Sequence, residues 1–411
     1  MNIINKYIII SILLFTSLIS EAQSDLNEYL EIAVKNNPEL KVAFNNYMAD
    51  LQKVPQVKAL PNPNIAFAYL LQPIETRMGP QDYKLSLSQM FPWFGTLKAK
   101  ENAAEEIAKA KYEVFLNIKS NILNKVKTTY YNLYFNNKAS RITRENIKLL
   151  KTIQNVALIK VEAGIASASD VYQIEMELNE LNNALSQIKD NKIVLTTIFK
   201  SLLNINHQVE IHSPELLWEN DFQESKSMLL DSIKTGNHQL LSINMQINAI
   251  RKKQVLAKKM GMPSFTIGAE YISISSGNQN LSGDDAIILP KIGISIPLYR
   301  SKYKAQEKEA YYNEQAKDQQ RRNLYNTLDI LFEKAWNDYK SSKDKIVLYK
   351  SQIEIAKKTL SILETSYSTN NSRFDEYIRM ERRLIKYSLA LEEARINKHK
   401  AISNIESLMG K

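Results

Sequence analysis

The sequence predicts a mainly α-helical protein with a small β part, built from a helix-strand-strand-helix-helix unit that occurs twice. Three observations carry this. Landmarks in the first half recur in the second at offsets of 200 and then 205 residues. Each half holds long stretches with coiled-coil spacing of apolar residues. Each half also holds two short runs that alternate apolar and polar residues at strand length.

The N-terminal stretch "MNIINKYIIISILLFTSLISEAQS" has Lys6, an apolar run from Tyr7 to Ile19, and small residues at Ser20 and Ala22. That layout predicts a cleaved export signal over residues 1–22. Its apolar core, about 13 residues, is short for a membrane-spanning helix. No later segment approaches 18 consecutive apolar residues, so no transmembrane helix is expected in the mature chain.

The first repeat covers 23–203. Its opening helix is expected over 25–57, its strands over about 64–72 and 83–91, and a long helical hairpin over 95–203. A linker, 204–224, leads to the second repeat, 225–411. There the opening helix is expected over 226–260, the strands over about 264–275 and 286–296, and the hairpin over 300–408. The repeat is carried by "VKNNPELK" against "IKTGNHQLL", by Pro63 and Pro263, Pro92 and Pro297, "YNLY" and "WNDY", and Asp170 and Asp375. The offset changes only within the strand pairs, where a loop absorbs inserted residues.

A helix of some 70 residues would run roughly 100 Å at ~1.5 Å per residue. Ile346, Tyr349, Ile353, Ala356, Leu360, Leu363 and Tyr367 alternate steps of three and four, as do Val171, Ile174, Leu178, Leu181, Leu185 and Ile188. That period gives a narrow seam and left-handed supercoiling. The breaks "GIASAS" (164–169) and "STNNSR" (368–373) let each long helix fold back on its partner.

Along the strands, Ile65, Phe67, Tyr69 and Leu71 share one side, and Leu85 and Leu87 oppose Ser86 and Ser88. Phe265, Ile267, Ala269 and Tyr271 oppose Ser264, Thr266, Gly268 and Glu270, while Ile292, Ile294 and Ile296 oppose Lys291, Gly293 and Ser295. Lipid on one side and water on the other produces this pattern, and so does a half-buried soluble sheet. Four strands cannot close a barrel, and an open edge in lipid leaves backbone groups unpaired. A membrane location therefore requires several chains to share one barrel.

Composition excludes other classes. The chain has no cysteine, hence no disulfide, thiol nucleophile or Cys-based metal site. Its 54 Lys+Arg and 44 Asp+Glu are interleaved, so the net charge of +10 forms no basic block for nucleic acid. His207, His212, His238 and His399 are scattered, and only ten glycines are present, without a phosphate-binding loop. No catalysis, cofactor or metal site is expected.

The duplicated "NNPEL"-like opening, "ALPNPNIAFAY", "LSLSQMFPWFG", "IGISIPLYRSKYKAQ" and "VEAGIASASDVYQIEMELNELNNAL" together resemble the TolC-type outer-membrane efflux family over essentially the whole mature chain. The resemblance implies a homotrimer whose 12-stranded β-barrel lies in outer-membrane lipid of a Gram-negative bacterium and continues as a periplasmic α-helical coiled-coil tunnel. It implies a passive conduit for small solutes, drugs or metal ions, working with a periplasmic adaptor and an inner-membrane pump. The "SQMFPWFG" form is similar to the branch served by proton-driven pumps, heavy-metal exporters among them. A polypeptide secretion conduit of the same architecture is an alternative, and a soluble periplasmic coiled-coil adaptor is another.

The resemblance also places candidate residues. The helical turns form the periplasmic aperture, with Asp170, Tyr367, Arg373, Asp375 and Glu376 as gate candidates. Helix capping is the alternative role for the acids. Gly164, Asn370 and Asn371 mark the tip that meets an adaptor. Phe91, Trp93, Phe94 and Tyr299 fall where an interfacial aromatic belt belongs. Pro92 ends the strand ladder for want of an N–H, and Gly95 allows the chain to turn.

Overall fold

The structure is a computed structural model that describes residues 25–206, 209–276, 283–368 and 374–411. The predicted signal segment lies outside the described residues, as do His207, Asn370, Asn371 and Arg373. In chain order the elements are α1 (25–36), α2 (Pro38–Lys58), β1 (Asn64–Thr76), β2 (Gly79–Phe91), α3 (Thr96–Glu162), α4 (Ala168–Leu203), α5 (Lys226–Gly236), α6 (His238–Met260), β3 (Ser264–Ile274), β4 (Ala286–Ser295), α7 (Arg300–Ser368) and α8 (Phe374–Leu408). Each opening helix expected as one piece is two. The break falls at Asn37 in one repeat and Asn237 in the other. Asn37 Oδ1 accepts from Leu40 N at 3.2 Å, which caps α2, and Pro38 sits at the first helical position, where its missing N–H costs nothing. Among the described residues no helix is long and apolar enough to cross a membrane.

The chain forms two compact units that cut across the repeats. One comprises 44–115 and 239–324 and holds the sheet. Its strands form an antiparallel meander, β1-β2-β3-β4, in which β2 pairs with β3 and so joins the two repeats. Register merges the separate alternations. Ile65 lies opposite Leu87 and Phe67 opposite Leu85; Leu85 lies opposite Tyr271 and Phe91 opposite Phe265; Phe265 lies opposite Ile294 and Ile267 opposite Ile292. Residues directly opposite share a face, so one continuous apolar face results. It is uncovered: Ile65 is 71 % exposed and Ile292 69 % exposed. The other face carries Lys84, Ser86, Ser88 and the Lys291–Glu270 ion pair. Among the described residues, the outer edges of β1 and β4 have no strand neighbour.

Gly95 turns the chain from β2 into α3 with φ +76°, a region that side-chain-bearing residues avoid. Thr96 N then donates to Trp93 O at 3.0 Å and Ala99 N to Gly95 O at 2.9 Å. Trp93 stacks on Phe265 with ring centroids 5.9 Å apart, and Phe94 packs against Phe265 at 6.3 Å. Phe94 and Tyr299 are largely exposed, while Phe91 and Trp93 are half-buried.

The other unit comprises residues up to 43 together with 116–238 and 325–411. Its seams are those read from heptad spacing. Ile353, Ala356, Leu360 and Tyr367 on α7, and Ile174, Leu178 and Leu181 on α4, are buried. Between the hairpins, the linker is held against α7 and α8. His399 Nε2 is 3.1 Å from Trp218 O. The Asp221 carboxylate accepts from Tyr339 Oη at 3.1 Å and from Lys343 Nζ and Lys398 Nζ at 3.2 Å each. Burial alone would raise the Asp221 pKa, and the two lysines and the phenol outweigh it and hold the carboxyl below its usual range.

Candidate functional site

The ends of the helical hairpins gather several of the sequence candidates. The first turn closes as α3 ends. Gly164 has φ +71°, and Ile165 N and Ala166 N both return to Lys160 O, at 2.8 and 3.2 Å. Ser167, not Asp170, caps α4: its Oγ accepts from Ser169 N at 3.2 Å. Asp170 is the third residue of α4, within its first turn.

Asp170 lies within electrostatic reach of both Asp375 and Tyr367. Burial raises the Asp170 pKa, and the Asp375 charge raises it further against a weak bond from Ser169 Oγ at 3.5 Å. Burial likewise raises the Tyr367 phenol, and Asp170 adds to it. Tyr367 is buried against Phe374, ring centroids 5.2 Å apart. Lys160 Nζ lies 4.0 Å over the Tyr367 ring and donates to the Tyr367 carbonyl, an attraction for a cation over an aromatic face. Asp375 is exposed at the start of α8, and Glu376 is half-buried beside it. Gly164 is exposed, and a Cβ there would meet nothing within 4 Å.

Deeper in the hairpin are groups that sequence reasoning missed. Arg382 pairs with the buried carboxylate of Glu177. Glu381 is buried, and Tyr377 Oη donates to its Oε1 at 3.4 Å. Burial and the Glu364 charge raise its pKa against that bond. Lys160 was missed as well. A signal existed for one pair: Glu177 and Arg382 are related by the repeat offset of 205, with opposite charge. Asp170 and Asp375 obey the same offset with like charge.

This arrangement offers carboxylates and one cation–π contact, that of Lys160 over Tyr367, at a helical turn. Among the described residues, no group of three or more His, Asp or Glu side chains is placed to hold a metal ion.

Residues 29–198 match the family described as outer membrane efflux protein. Over 211 residues the chain is 24 % identical to "Toxin and drug export protein A" of Aggregatibacter actinomycetemcomitans, covering 50 % of this chain and 45 % of that one. The chain thus spans about half the length of that curated relative. Its fold is similar to the crystal structure of the outer membrane protein VceC of Vibrio cholerae, with a TM-score of 0.78 at 15 % identity over 95 % of this chain and 98 % of that one. It is also similar to the CmeC outer membrane channel of Campylobacter jejuni, with a TM-score of 0.76 at 15 % identity over 94 % and 85 %.

Proposed function

We propose that this chain, whose residues 29–198 match the outer membrane efflux protein family, is an outer-membrane channel of a tripartite efflux system, a passive conduit that carries small solutes such as drugs or metal ions to the exterior. One observation carries the reading: among the described residues, the four-stranded sheet has a continuous apolar face whose large side chains, Ile65, Phe67, Ile292 and Ile294 among them, are exposed. In water that area would be costly, and in lipid it is stabilising. The bare edges of β1 and β4 then require pairing with other copies. Three copies give 12 strands. A second exposed stripe on α7, Leu348, Ile355 and Ile362, repeats every seven residues and supports the same oligomer through helix packing.

Energy comes from an inner-membrane pump reached through a periplasmic adaptor, and the chain itself performs no chemistry. Asp170, Tyr367 and Asp375 line the periplasmic aperture, and Gly164 belongs to the tip that meets the adaptor. The relative from Aggregatibacter actinomycetemcomitans is named for both toxin and drug export; a conduit for a polypeptide toxin is the second reading. Fractionation tests the proposal: the protein should partition with outer membranes and run as a trimer that boiling dissociates. Recovery as a monomer in the soluble periplasmic fraction would overturn it in favour of a soluble adaptor.

A further inference from the structure

We propose that the groove between α2, α3 and α6 in the sheet-bearing unit is a binding site for an anionic phospholipid. The inference rests on the barrel reading for its location and on the groove itself for its chemistry. The groove has a volume of about 710 Å³, within the roughly 300–1,000 Å³ range of sites that enclose a small molecule. That volume suits a headgroup with the upper part of its acyl chains. Val57, Leu97, Ile107 and Leu256 supply apolar wall.

The rim is cationic. Lys53, Lys100 and Lys253 line it, and Asp50 is the sole acid there. Lys53 neutralises Asp50 at 2.6 Å. The nearby Glu101 is held by Lys58 and Lys98, both at 2.8 Å. Among the described residues Lys100 and Lys253 form no ion pair, so two positive charges remain over an apolar floor. Long lysine side chains at a membrane boundary lay their stems on apolar surface and present the ammonium to phosphate.

Position selects lipid over a soluble anion. Pro61 lines the groove three residues before β1 begins at Asn64, and Leu97 lines it three residues after the belt residue Phe94. Gln89 Nε2 on β2 donates to Pro61 O at 2.8 Å, which ties the groove's edge to the strand end. If the strands cross the bilayer, the groove opens at the headgroup level on the helix side.

The test uses full-length protein purified in detergent, its oligomer confirmed by size, and titrated with short-chain phosphatidylglycerol. Native mass spectrometry and thermal midpoint are the readouts. Wild type should retain phosphatidylglycerol in preference to phosphatidylcholine. The Lys100→Gln, Lys253→Gln double variant should lose affinity roughly tenfold or more, with its oligomer intact. These side chains are half-buried and exposed respectively, so folding is not at stake. Leu256→Trp, which fills the groove, should lose lipid with both lysines kept. Equal retention of phosphatidylcholine, or binding of inorganic phosphate as tight as that of the lipid, would overturn the proposal. So would a lysine variant that dissociates the oligomer while keeping its lipid, because the groove would then be an interface between copies. Unchanged lipid retention in a protein that still fractionates with the outer membrane defeats the groove alone, whereas failure to enter membranes defeats the barrel reading.

Discussion

Glu177 on α4 and Arg382 on α8 occupy equivalent positions of the two repeats, and their side chains pair with each other. Seven residues earlier the equivalent pair is Asp170 and Asp375, of like charge, and the Asp375 charge helps to raise the Asp170 pKa. Both pairs keep the sequence offset of 205 residues between the repeats. The pair is one-sidedly buried, with the Glu177 side chain 7 % exposed and Arg382 50 % exposed. Arg382→Ala strands a buried carboxylate and should cost about 2–3 kcal/mol, whereas the double change with Glu177→Leu should recover most of it. Denaturant titration of the four species of the cycle measures this, and additive losses would mean the two do not couple.

Neutralising the like-charged pair should act on permeation. Reconstituted Asp170→Asn, Asp375→Asn channels should lose cation preference in reversal-potential measurements. Asp375→Asn alone should let the Asp170 pKa fall back toward the ordinary carboxylate range, since one of the charges raising it is gone. Unaltered selectivity in the double variant would remove these residues from the aperture.

Asn37 and Asn237 hold the two helix breaks in the same way. Asn37 Nδ2 donates to Leu202 O at 2.9 Å, and Asn237 Nδ2 donates to Leu408 O at 2.9 Å. Both side chains are buried. Each change to Ala should cost about 1–2 kcal/mol, as expected for losing a cap or a buried hydrogen bond, and two such changes should add because different helix ends are involved. Thermal melts of the single and double variants check both claims.

His399 makes stability depend on pH. Burial lowers its pKa to about 4, and the neighbouring Lys398 adds to this against the bond to Trp218 O and the charges of Glu219 and Asp221. A histidine kept neutral on folding is protonated first in the unfolded chain, near pH 6.5. Its stabilising contribution is full above pH 6.5 and is lost as pH falls toward 4, on the order of 3 kcal/mol in all. His399→Gln should flatten the stability profile between pH 6.5 and 4, and an unchanged slope would assign it to other groups.

Gly164 tests backbone strain without steric confusion. Its φ is +71° and a Cβ would touch nothing within 4 Å, so Gly164→Ala should cost about 1 kcal/mol from conformation alone. A loss several times larger would mean that the turn is packed against something in the assembled protein.

Heptad spacing, strand alternation and the repeat were legible because each is a local property: the side of an element on which a residue falls depends on its own few neighbours. Ile353, Leu360 and Ile174 lie in the seam as their spacing requires. The break at Asn37 was missed because helix propensity runs through it, and the competing cap to Leu202 comes from 165 residues away. The aperture candidates were legible as turn residues, and their grouping with Lys160 was not.

By itself, then, the sequence determined which residues are apolar on which face, where the chain reverses, and that everything occurs twice. Only the tertiary structure decided that β2 pairs with β3, merging two alternations into one exposed apolar face. It also decided that position 177 meets 382, that the charge at 375 acts on 170, and that lysines from α3 and α6 rim one groove. Periodicity sets the side of an element on which a residue lies, but the neighbour it meets there is set by long-range packing, where many weak contacts select one register and one axis together.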